Sequence, residues 1–277
     1  MSGAPAAGEP GDGGLKPAAV SGVRWTSLAQ FVRFGLQLLS TLVLAALLPP
    51  DAFGLVGMAA VVVGFVALFR DLGTGAAVIQ QRDLDESTRS TVFWVNVALG
   101  LVAGAALFAA ATPVSRFYGE PRLAPVMRAL AFALPLAGPG VVPLAILQRE
   151  LLFSRIARVE VSANVIGVGA GIAAALAGAG VWSLVLQTLV TTAVQSGMGL
   201  LLAPFRPRVL FRTDRLREVL GYGAGLTGFQ VTHWLTRNVD QLLIGRFAGA
   251  TALGYYALAI RLVFQPLQAA SGVVGRV

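Results

Sequence analysis

Arg33 lies in a stretch otherwise free of charge, and Thr26, Gln30, Gln37 and Ser40 recur around it at spacings of three or four. On a helix that spacing gathers all five on one face. An arginine near the centre of a bilayer helix costs roughly 2.5 to 3.5 kcal/mol on insertion scales, so it must face water, a bound anion or a partner on another helix. No acidic residue in its own stretch offers that partner. A second stripe repeats the chemistry, with Gln230, Arg237 and Gln241 on one face, Asp240 three residues beyond Arg237 and within pairing reach of it, and Arg261 further on. Gln187, Thr191 and Gln195, each four residues apart, add uncharged hydrogen-bonding groups. Together these residues are expected to line a polar, net cationic cavity. Fixed guanidinium groups favour an anion, and their planar fork of donors suits a diphosphate. A pump for cationic drugs would instead present carboxylates, and apart from Asp240 the membrane-depth positions are expected to hold none.

Other chemistries are excluded early. The chain has no cysteine and a single histidine, His233, so thiolate metal sites, zinc or haem sites built on paired histidines, and cysteine nucleophiles are excluded. His233 itself reads as a helix-contact residue rather than a proton relay. No phosphate-cradling GxxxxGK[ST] loop occurs, and the glycine-rich run from Gly167 to Gly171 lies inside an apolar stretch rather than at the end of a strand. A glycosyltransferase or polymerase would need acidic groups on an outer loop, where LPPDAF offers only Asp51. The expectation is therefore a protein with no cofactor and no catalytic group, not an enzyme.

The elements that must position these residues are membrane spans. Hydrophobic residues make up 56% of the chain and charged residues 12%, with a mean hydropathy of +0.75, against roughly 45 to 50% and about 25% in soluble domains. Apolar runs near the roughly 20 residues needed to cross a bilayer fall at about 25–48, 52–70, 90–113, 125–147, 160–178, 181–203 and 219–245, with an eighth from about 252. Gly178-Ala-Gly180 reads as a tight hairpin, and Gly100/Gly104 and Gly167/Gly171 as small-residue spacings for close helix contact. Two prolines and two glycines in LAGPGVVP, at 136–143, predict a kink or break there. Trp25 and Trp182 mark span ends.

Residues 1–24, rich in Gly, Ala and Pro, read as a disordered cytoplasmic tail, 25–203 as a first lobe of six helices, 204–218 as a basic cytoplasmic linker, and 219–277 as the start of a second lobe. With the N-terminus inside, thirteen basic residues fall on the cytoplasmic side, in Lys16, Arg24, Arg70, Arg82, Arg89, Arg149, Arg155, Arg158, Arg206, Arg208, Arg212, Arg215 and Arg217. Only Arg116, Arg122, Arg128 and Arg246 fall outside, so the positive-inside rule sets this orientation. Charge spread over separate loops also argues against a nucleic-acid partner.

Five segments carry a resemblance: FGLVGMAAVVVGFVALFRDLGTGAAVIQQRD at 53–83, STVFWVNVALGL at 90–101, FYGEPRL at 117–123, LQREL at 147–151 and RNVDQLLIGRFAGATALGYYALAIRL at 237–262. The chain resembles the Wzx-type polysaccharide exporters of the multidrug, oligosaccharidyl-lipid and polysaccharide flippase superfamily. That resemblance implies an all-α polytopic membrane protein of two six-helix lobes forming a V, which alternates access to a central cationic cavity. It implies a polyprenyl-diphosphate-linked oligosaccharide as substrate, membrane lipids around it, and the polysaccharide polymerase and glycosyltransferases of the same pathway as partners. Family arginines in the first helix and at the start of the second lobe correspond to Arg33 and Arg237. Because the chain stops at Val277 within the eighth expected span, the resemblance further implies a fragment holding one lobe and the opening of the next. A peptidoglycan-precursor flippase and a multidrug antiporter remain as alternatives at this point, as do a membrane glycosyltransferase or polymerase and a non-transporting assembly partner.

Overall fold

The computed structural model describes the backbone of residues 15–71, 74–80, 85–208 and 213–274. The first fourteen residues of the expected tail, the side chains of Trp25, Thr26 and Asp71, and residues 209–212 of the expected linker lie outside the described residues. All regular structure among the described residues is helical: α1 (Leu15–Leu47), α2 (Pro50–Asp71), α3 (Thr74–Gln80), α4 (Glu86–Tyr118), α5 (Leu123–Ala131), α6 (Ala133–Arg149), α7 (Phe153–Leu176), α8 (Val181–Leu202), α9 (Thr213–Phe247) and α10 (Gly249–Val274). Among the described residues six spans are long and apolar enough to cross a membrane, and α5 and α6 together form one of them. The protein is thus an all-α, multi-pass membrane protein. Helices α9 and α10, 35 and 26 residues long, cover the seventh and eighth expected spans.

Several elements differ from expectation. Helix α1 starts at Leu15, before residue 25, and α9 starts at Thr213, within the expected linker. The short helix α3 lies in what reads from sequence as a loop; its buried Thr74 hydroxyl donates to the Asn96 side chain of α4 at 2.9 Å. The fourth span breaks at Phe132 rather than within 136–143, and α6 runs on through Pro139 and Pro143. A proline ring collides with the carbonyl four residues earlier. For Pro135 that residue is Ala131, the last of α5.

Connections of a few residues fold the helices back on one another, so their ends gather on two faces. One face holds the α1–α2, α4–α5, α7–α8 and α9–α10 junctions; the other holds the ends of α3, α6 and α8 and the start of α4. A buried cluster including Leu44, Phe53, Met58, Leu107, Met127 and Leu253 underlies the first face. Another, including Val78, Phe93, Ile146, Val159 and Phe205, underlies the second. Lipid is as apolar as leucine, so close packing rather than exclusion from water must hold such helices together. The small-residue spacings serve that purpose: a β-carbon at Gly100 would come within 2.8 Å of the Leu134 carbonyl oxygen, and one at Gly171 within 2.8 Å of Gln187. Glycines at 178 and 180, with φ of 80° and 57°, make the hairpin between α7 and α8.

Candidate functional site

The α1 stripe divides along its length. Toward its buried end, Gln187 of α8 donates to the hydroxyl of Ser40, which is only 1% exposed, at 3.0 Å. Gln187 stands where Gly171 of α7 leaves room for it, so three helices meet at one polar contact. Gln30 and Gln37 are half-buried, and the Gln37 carbonyl accepts from Thr41 at 2.8 Å. At the other end the Arg33 guanidinium donates to the carboxylate of Glu160, on α7, at 2.7 Å. The side chains of this pair remain 45% and 29% exposed.

Glu160 corrects the expectation that Asp240 is the only carboxylate at membrane depth. Helix α7 begins at Phe153, well before the predicted span, so Glu160 lies inside the helix rather than at its edge. The signal was present in Arg33 itself, which required a counter-ion that its own helix does not supply.

On α9, Gln230 and Gln241 are half-buried and Arg237 is exposed. Arg261 of α10 is half-buried. Asp240 accepts from the Tyr256 hydroxyl of α10. Among the described residues no ion pair joins Asp240 to Arg237; the carboxylate instead accepts from the neighbouring helix. No hydrogen bond among the described residues links the α1 stripe to the α9 stripe. Helix α9 instead packs on α2 through Trp234, whose ring lies 5.2 Å from that of Phe65.

Two further groups escaped the sequence reading. Across the α1–α2 and α4–α5 junctions, Arg122 bonds Asp51 at 2.8 Å and Glu120 at 2.9 Å. Its hydrogen bond to Glu120 holds that carboxyl below the usual carboxylate range, while the two carboxylates together raise the arginine. Asp51, the single acid available on the first outer loop, is thereby committed to a structural pair. Beside it a cavity of about 320 Å³ is lined by Leu55, Pro125, Val126 and Trp182. At the opposite face the arginines read as topogenic also cap helix ends. Arg149 donates to Val78, Arg155 to Leu202 and Arg206 to Leu200, at 2.9 to 3.0 Å. Terminal carbonyls lack helical partners and carry the negative end of the helix dipole, so cations belong there. Among the described residues no cluster of metal-ligating side chains occurs.

Fold and site together define a polytopic helical membrane protein whose helices are joined by a polar, partly exposed seam. The chain belongs to the polysaccharide biosynthesis protein family, whose model matches residues 43–277; the Wzx-type resemblance is borne out. It is 31% identical over 255 residues to the succinoglycan biosynthesis transport protein ExoT of Rhizobium meliloti, covering 91% of this chain and 51% of that protein. Against the lipopolysaccharide biosynthesis protein WzxC of Escherichia coli the identity is 28% over 269 residues, covering 95% and 54%. Against the teichuronic acid biosynthesis protein TuaB of Bacillus subtilis it is 31% over 264 residues, covering 93% and 54%. The chain thus spans about half the length of these curated relatives. No solved structure matches it.

Proposed function

We propose that this chain takes part in moving a polyprenyl-diphosphate-linked oligosaccharide from the inner to the outer leaflet of a bacterial cytoplasmic membrane, for surface polysaccharide synthesis. The observation that carries the reading is Arg33, a guanidinium on a membrane helix that stays half-exposed despite a partner. A relative named as a transport protein, and others named for lipopolysaccharide and teichuronic acid synthesis, support the substrate class.

In this reading Arg33 and Arg237 hold the diphosphate from the two lobes, with Arg261 adding positive charge. Gln30, Gln37, Gln230 and Gln241 meet sugar hydroxyls in the hydrated cleft, and Asp240 ties α9 to α10 through Tyr256. The polyprenyl chain stays in lipid, and the pathway's glycosyltransferases and polymerase supply and consume the substrate. The N-terminus lies in the cytoplasm. No bond is made or broken. If two negative charges cross while the arginines stay fixed, an inside-negative potential favours outward movement by about 4.6 kcal/mol per 100 mV, from about 2.3 per charge.

Arg33→Ala is expected to abolish complementation of a flippase-deficient strain while membrane abundance is preserved. Normal surface polysaccharide in that strain would sink the assignment.

A further inference from the structure

Arg33 and Glu160 meet within two helices long and apolar enough to cross a membrane. Helix α1 ends at Leu47 and α7 at Leu176, on the same face. At a rise of about 1.5 Å per residue, Arg33 lies about 21 Å and Glu160 about 24 Å below those ends, inside a hydrocarbon core about 30 Å thick. Both side chains nevertheless keep exposed surface. Lipid against that surface would leave much of the desolvation cost of two charges unrecovered, so the pair borders a hydrated cleft. In such a medium a single ion pair is weak and exchanges partners readily. A carboxylate and a phosphate oxygen also offer the guanidinium fork the same acceptor geometry.

We propose that Glu160 is a positioning residue that stands in for the substrate: it occupies Arg33 when the cleft is empty, yields it to the diphosphate, and takes it back for the return of the empty protein. The inference rests on the assignment of Arg33 to the diphosphate made above. Closing an empty cleft around an unpaired guanidinium would bury an uncompensated charge. With Glu160 in place the Arg33 charge stays compensated through the return of the empty protein. The cost is affinity, because every ligand of Arg33 must first displace the carboxylate.

The test uses the full chain in proteoliposomes with a labelled polyprenyl-diphosphate oligosaccharide. Three quantities are measured: half-saturation, net transfer into an empty leaflet, and exchange against unlabelled substrate in the opposite leaflet, which bypasses the empty return. Glu160→Gln should lower the half-saturation concentration about three- to fivefold, the worth of a partly exposed pair. It should slow net transfer about tenfold, as a barrier raised by one lost compensation would, and slow exchange much less. Glu160→Asp, which keeps the charge but withdraws it by one methylene, should fall between wild type and Glu160→Gln, and serves alone if the amide variant does not fold. Net transfer and exchange falling together, or a raised half-saturation, would overturn the stand-in role. Glu160→Asp indistinguishable from wild type when tested alone would do the same. If Arg33→Gln keeps wild-type half-saturation, the diphosphate assignment itself fails. If Arg33→Gln loses binding while Glu160→Gln behaves as wild type, only the stand-in role fails.

Discussion

The described polar residues toward the buried end of the α1 stripe are defined by what surrounds them. Ser40 is buried and Gln187 half-buried where they meet, and a largely buried amide deprived of its partner costs about 1 to 3 kcal/mol. Ser40→Ala should therefore lower stability by that order in detergent, as read from thermal unfolding. Ser40→Ala combined with Gln187→Leu should recover part of the loss, since removing both partners leaves nothing unpaired. The stripe was legible because helical periodicity puts Thr26 through Ser40 on one face, and an arginine in an apolar run marks itself. Glu160 was not legible as its partner. It stands 127 residues away in the chain, and periodicity within one helix carries no information about which other helix lies against it. The expected pairing of Arg237 with Asp240 rested on spacing alone, and spacing gives way where a neighbouring helix offers the carboxylate a hydroxyl such as that of Tyr256.

Among the elements, the junction between α6 and α7 bends through Leu151, which takes a φ of 54°. The Leu152 amide donates back to the Leu147 carbonyl at 2.9 Å, a helix-ending motif in which glycine is the usual left-handed residue. A left-handed leucine costs roughly 1 to 2 kcal/mol. Leu151→Gly should therefore raise the unfolding temperature even though its side chain is exposed; a lowered one would show that the leucine makes a contact worth more than the strain. At the opposite face α2 and α10 touch backbone to backbone. A β-carbon at Gly54 would overlap the Ala250 carbonyl, and one at Gly254 the Pro50 carbonyl. Gly54→Val should force these helices apart, and a pair of cysteines introduced across the contact, in a chain that otherwise has none, should then cross-link more slowly than in the glycine background. Span number, hairpin glycines and small-residue spacings could all be read from sequence because each is a local pattern. The break at Phe132 was misplaced because the most conspicuous prolines, Pro139 and Pro143, are carried within α6, whereas Pro135 acts on a carbonyl four residues before it.

For the whole molecule, the two faces hold together by different means. Arginines on carbonyls fasten one, and the Arg122 cluster and the α2–α10 contact fasten the other. The Glu120 carboxyl is depressed in the folded protein, so its contribution is present above the unfolded value of about 4.3 and disappears as pH falls through the lower folded value. The stability difference between wild type and Arg122→Gln should be steady near neutrality and vanish at strongly acid pH; a difference that persists there would assign Arg122 another role. The reciprocal use of Gly54 and Gly254 near the starts of α2 and α10 lets the two backbones touch on this face. Family and membrane class were legible in composition and in five segments. The sugar of the proposed substrate was not, because charge and hydrogen-bonding capacity define a chemical class and not a particular sugar.

The most direct test of the central claim is transfer of a labelled polyprenyl-diphosphate oligosaccharide between leaflets of proteoliposomes holding the full chain, with and without an imposed potential. The account predicts transfer above that of protein-free vesicles, faster toward the positive side, and lost in Arg33→Ala. Transfer that ignores the sign of the potential, or that survives Arg33→Ala unchanged, would contradict it.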